Sequence, residues 1–198
     1  MLYDEFGCEY LLMQGFHGEA NDWKAVMESY VASKMMWNPN QDPNALREEF
    51  ITYYYRELAD LVSEYVLNYD INAEQMVKRE DAPNMTLQGG DEILSSKYYS
   101  TAFFEKQLGL IDEMYVRIDT LGLSQSEIDE YTAMVHRLKL TSQFMLLYHY
   151  DDYYYNDSWG KNEIMKDFFD TCTSLGLRNW REFNGSLATL KTFFGYLG

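Results

Sequence analysis

Basic residues are scarce in this chain: 16 Lys and Arg stand against 32 Asp and Glu, a formal net charge of −16. A field of that sign repels phosphate backbones and anionic lipid surfaces, which argues against nucleic acid or a membrane surface as a partner. Cysteine is scarcer still. Cys8 and Cys172 are the two present, and they form neither a CxxC nor any zinc-like spacing. Only three prolines occur in 198 residues, which argues against a disordered chain. No apolar run approaches the ~18 residues of a membrane-spanning helix. The start, Met1-Leu2-Tyr3-Asp4-Glu5, lacks the basic and apolar stretches of a signal peptide. The HExxH, P-loop, GxSxG and GxGxxG patterns are missing too, which weakens zinc-protease, nucleotide-binding and serine-hydrolase readings.

What the chain does have is apolar bulk. Hydrophobic residues make up 46% of it, with 18 Tyr, 11 Phe and 4 Trp. That composition is globular, and the length is enough to bury a core without metal or disulfide staples. Cys172 falls on an apolar helix face and is expected to be a buried thiol.

Helical spacing dominates. A first helix is predicted over residues 21–37, capped by Asn21 or Asp22, with Trp23, Val26, Met27, Tyr30, Val31 and Met35 as its apolar stripe. Pro39 ends it. Asp42-Pro43 opens a second helix, predicted to run to residue 69 with Leu46, Phe50, Tyr53, Leu58, Leu61 and Tyr65 inward. The short loop between them predicts an antiparallel hairpin. Residues 70–97 contain Pro83 and Gly89-Gly90 and read as a long connection, functional or mobile. A third helix over 98–121 points Phe104, Leu108, Ile111, Tyr115 and Ile118 inward and stops at Gly122. Ser124 and Glu127 form a capping-box signature for a fourth helix reaching residue 150. Helices over 161–175 and 186–197 complete the count. The fold class is all-α: a six-helix bundle with a short N-terminal extended segment. Tyr10–Met13 reads as a buried strand with nothing else in the chain to pair with.

Chemistry is harder to place. His17, His136 and His149 are dispersed; the last two lie thirteen residues apart on one expected helix, about 20 Å. They cannot share a metal ion, so no metal site and no cofactor is expected. The richest cluster is aromatic. Tyr150, Tyr153, Tyr154 and Trp159, with Asp151, Asp152 and Asp157, could stack on a sugar and accept its hydroxyl hydrogen bonds. The plainer reading, which the composition favours, is a helix end packing against a neighbouring domain, since tyrosine favours half-buried positions. Gln14 and His17, with Glu19, form a second candidate cluster, either contacting substrate or stitching strand to helix.

Gln14-Gly15, the helix ending Met36-Trp37-Asn38-Pro39, then Asp42, and Glu48-Glu49-Phe50 with Tyr53-Tyr54 carry a resemblance. They are similar to an uncharacterised bacterial family related to α-glucuronidases and other TIM-barrel glycoside hydrolases. Tyr55 stands where that family usually has glycine, a departure that puts the following turn in question. Phe168-Phe169, Gly176-Leu177 and Glu182 resemble the family's closing helix more weakly. The resemblance implies that residues 1–19 are the remnant of a barrel's last strand and loop, with a helical domain over 20–198. Gln14 then sits at the C-terminal end of the strand, on the face where barrel active sites form. The implied parent is a bacterial glycan-acting protein, secreted, periplasmic or at the cell surface. Its acid and base would lie on barrel strands, so this piece is expected to be inactive by itself. Its role would be to brace the missing N-terminal barrel and line its glycan cleft. A stand-alone module binding glycan or protein through an aromatic surface is the alternative. The bracing role predicts apolar surface left exposed where the barrel would sit.

Overall fold

The computed structural model describes residues 23–78, 98–148, 150, 160–181 and 185–197. The expected strand at 10–13 and the caps Asn21 and Asp22 lie outside these residues. Helices dominate: α1 (Trp23–Trp37), α2 (Pro43–Tyr55), α3 (Ala59–Val77), α4 (Thr101–Thr120), α5 (Gln125–Tyr148), α6 (Lys161–Ser174) and α7 (Leu187–Phe194). A single 3-10 turn, Arg56–Leu58, joins α2 to α3. The pair therefore counts as one interrupted helix, and the described residues form the all-α bundle of six helices that the periodicity predicts.

The second helix departs from expectation in two ways. It breaks at Arg56, a non-glycine residue held at φ 48°, one position beyond the tyrosine that replaces the glycine. The Arg56 guanidinium bonds Glu130 at 2.8 Å and lies over the Tyr131 ring at 4.6 Å, while Tyr131 donates to Glu57. These contacts to α5 hold a backbone conformation that costs on the order of 1–3 kcal/mol. Beyond the break, α3 runs on to Val77, because residues 70–77 contain neither glycine nor proline. Residues 79–97 of the expected long connection lie outside the described residues. Its spacing from Leu46 and Phe50 predicts Tyr53 inward, yet Tyr53 is 85% exposed. The buried arc of α2 rotates toward Ile51 and Tyr55, and that rotation turns Tyr53 to solvent. Val26, likewise placed in the stripe of α1, is exposed, the buried set being Trp23, Met27 and Val31.

Helix ends follow local chemistry. Asp42 caps α2, its carboxylate accepting from Asn44 N at 2.9 Å. Ser100 caps α4 by accepting from Phe103 N, so this helix starts three residues later than the apolar pattern suggests. The expected capping box is half made. Glu127 accepts from Ser124 N at 2.8 Å, but the Ser124 hydroxyl donates to the same carboxylate instead of accepting from the backbone. Gly195 adopts φ 73° and stops α7 at Phe194, short of residue 197. A small antiparallel strand pair, β1 (Asn179–Arg181) with β2 (Gly185–Ser186), precedes α7. Only turn chemistry is visible at that point of the sequence, because a two-residue strand carries no readable alternation.

The helices α1 and α2 form the expected hairpin, fixed by Arg47 bonding Glu28 at 2.7 Å and by Tyr30 donating to Glu49 at 2.6 Å, while Arg47 also bonds Asp70 of α3 at 3.0 Å. The main core joins α1 through the first half of α5, with Leu58, Val62, Tyr65, Met114, Val135 and Leu138 fully enclosed. A second core joins the last half of α5 to α6 and α7 through Leu140, Leu147, Met165, Phe168, Phe169 and Leu190. The 24 residues of α5, about 36 Å of helix, are thus the axis on which both cores are built.

Candidate functional site

Polar side chains inside an apolar stripe mark where a bundle departs from simple packing. On α5 the run His136-Arg-Leu-Lys139-Leu-Thr-Ser142-Gln143 is such a place. Spacings of three and four bring His136, Lys139 and Gln143 to one face, while Ser142 turns to another.

The first face meets α4 and α6. Lys139 is 9% exposed, and its Nζ bonds Asp167 Oδ1 on α6 at 2.9 Å. Gln143 Nε2 donates to the other oxygen of Asp167 at 2.6 Å. One carboxylate therefore ties two side chains of α5 to α6. Tyr115 of α4 closes the cluster, with Lys139 Nζ 5.6 Å from its ring centroid and the His136 ring edge-on at 6.0 Å. Burial, with Asp167 and Asp112 nearby, pushes the Tyr115 phenol well up, so it stays protonated. Its hydroxyl and Gln143 Oε1 are buried without a hydrogen-bond partner among the protein atoms, a cost of about 1–3 kcal/mol each. Burial, and then the Lys139 ammonium, lower the pKa of His136, while Asp167 opposes them.

His136 Nδ1 lies 3.4 Å from Ser174 Oγ. A serine beside a histidine invites a nucleophilic reading. Yet Ser174 donates its proton to Thr171 O at 2.8 Å, and Asp167 is engaged by Lys139 and Gln143. The serine proton is thus held by the backbone, and the arrangement clamps helices without activating a nucleophile.

The second face holds Ser142 in a buried network. The Tyr65 hydroxyl donates to Leu138 O at 2.8 Å and lies 2.8 Å from Ser142 Oγ. Tyr69 reaches Ser142 at 3.3 Å and Met145 Sδ at 3.4 Å. Trp23 packs edge-on to Tyr65 at 5.5 Å. Burial raises both phenols, Tyr69 to about 12. Neither ionises near neutral pH, so the network serves cohesion.

Of the residues singled out from the sequence, Tyr150 alone is described. It is half-buried, with Lys161 Nζ 5.4 Å from its ring centroid. Gln14, His17, Tyr153, Tyr154 and Trp159 lie outside the described residues. Two residues earlier, Tyr148 packs within the bundle on Phe144 of its own helix and on Phe193 of α7. Among the described residues no group of three His, Cys, Asp or Glu could hold a metal ion, and no helix is long and apolar enough to cross a membrane. Cys172 is buried and its thiol is raised by burial to about 12, so it is a poor nucleophile.

Exposed apolar side chains gather on a few helix faces. Trp37 is 91% exposed and Met36 52% at the end of α1. Leu67 and Ile71 lie one turn apart on the outer side of α3. A shallow hollow on α4 is lined by Asp112, Glu113, Val116, Arg117 and Thr120; its walls come from one helix, which makes it a surface groove with no depth to enclose a ligand.

Residues 2–67, about a third of the chain, match the family model of a domain of unknown function, DUF4838. The match covers the N-terminal segment, α1, α2 and the first half of α3. It crosses the expected boundary at residue 19 and carries no link to α-glucuronidases. No curated protein and no solved structure matches the chain.

Proposed function

We propose that this chain is a non-catalytic helical domain that braces the barrel of a glycoside-hydrolase-like protein and lines one side of its glycan cleft. The observation that carries this reading is Trp37. It is 91% exposed beside the half-exposed Met36, inside the stretch matched by DUF4838 and within the residues that carry the resemblance. Tryptophan is the side chain most often found at the energetic centre of an interface, and a bare one next to methionine at a helix end is suited to a partner surface. Tyr53, on the same hairpin, adds a second exposed aromatic. Arg47 ties the two helices of the hairpin together through Glu28 and anchors them to α3 through Asp70, so the hairpin would meet a neighbour without reordering.

Trp37→Ala is expected to change the stability of the isolated chain by no more than about 0.5 kcal/mol, as for surface positions generally, measured by urea unfolding. A loss well beyond that would mean that Trp37 serves this bundle and not a partner. The chain alone is expected to show no retention on a glycan array, because most of the cleft would belong to the barrel. Retention that Tyr153→Ala and Tyr154→Ala abolish would favour a stand-alone glycan-binding module instead.

A further inference from the structure

The cores of the bundle are unequal in how they are held. The unit made of α6, the strand pair and α7 rests chiefly on the last half of α5 through the second core, with Ile164 also packed against the cluster that joins α4 to α5 around Phe104 and Leu146. At the edge of that joint lies the polar cluster already described, Lys139–Asp167–Gln143, with His136 against Ser174 and Tyr115. The Lys139 ammonium and the His136 imidazole thus share the Tyr115 ring, at 5.6 and 6.0 Å from its centroid. We propose that this cluster is an acid-sensitive joint: protonation of His136 sets a second cation against Lys139 between α4, α5 and α6, and selectively loosens the α6–α7 unit from the rest of the bundle.

The groups that face the imidazole decide the sign. Lys139, one turn away on α5, repels the imidazolium; Asp167 on α6 attracts it but is shared between Lys139 and Gln143. On α4, Tyr115 meets it as a neutral phenol, with Asp112 acting on that phenol. Burial adds to the repulsion, and the net effect lowers the histidine's pKa in the closed state. The opened state then binds the proton more readily. Closure is at full strength above the ordinary histidine value of about 6.5 and weakens as pH falls through it. Local opening of a unit with its own core is a recognised mode of motion.

Amide hydrogen exchange of the full chain, corrected for intrinsic rates and compared at about pH 7.5 and about pH 5.5, brackets that titration. The expected result is that amides of α6 and α7 open several-fold more often at the lower pH, while those of α2 and α3 do not change. In His136→Gln, which keeps a donor for Ser174, the difference disappears. Opening of α2 and α3 in step with α6 and α7, or a difference that persists in His136→Gln, would overturn the proposal. So would an NMR titration of the wild-type His136 ring with a midpoint at or above the ordinary histidine value.

Discussion

Phe104→Ala is expected to lower the unfolding free energy by about 3–5 kcal/mol, the range for phenylalanine truncated in a close-packed core. Phe104 is fully buried where α4 crosses α5, in a cluster with Tyr99, Phe103, Met145 and Leu146. The Phe103 ring meets it edge-on at 5.1 Å, so truncation removes an aromatic pair as well as volume. Helix backbones border the site and limit collapse into the void. Urea unfolding followed by far-UV circular dichroism reads the effect as a lower midpoint at unchanged slope. A loss below about 1 kcal/mol would mean that this junction is loosely packed.

Tyr65→Phe is expected to cost about 1–3 kcal/mol, although it removes a single oxygen. That oxygen donates to Leu138 O and lies against Ser142 Oγ, both buried on α5. Phenylalanine fills the same volume, so the loss reports the hydrogen bonds and the desolvated groups left behind. Tyr53→Phe is the matched control: Tyr53 is 85% exposed, and its change should stay within about 0.5 kcal/mol. Equal effects at the two positions, measured by the same urea titration, would contradict the assignment of Tyr65 to a structural network.

These two tyrosines show how far the sequence can be read. Both lie on the apolar stripe of the second predicted helix, and spacing alone placed both inward. Tyr65 is there; Tyr53 is not, because the break at Arg56 lets the buried face of α2 rotate independently of α3. A 3.6-residue period reports which residues share a face, and it cannot report a backbone interruption that contacts from α5 impose. The helix count and most helix boundaries were legible because caps and stops are local: Asp42-Pro43, Gly122 and Gly176 act within a few residues. The strand pair at Asn179 and Gly185 was not, being too short to show alternation.

The polar cluster was legible only in part. His136, Lys139 and Gln143 stand at helical spacing among apolar residues, which marks a face that meets something polar. Nothing local selects Asp167 from 32 acidic residues as the partner, since that depends on how α6 docks. Gln107 is a similar case. It is fully buried on α4 and donates to Tyr65 O at 3.3 Å; its spacing from Phe104 and Ile111 puts it on the inward face, but its backbone partner on α3 depends on how the helices dock.

The proposed bracing role requires a neighbouring barrel, and the most direct test is to read the DNA immediately upstream of the Met1 codon. The account predicts a continuous frame of about 250–300 residues with strands and helices in alternation, the length and pattern of a (β/α)8 barrel. An in-frame stop codon directly before a functional start at Met1 would contradict it.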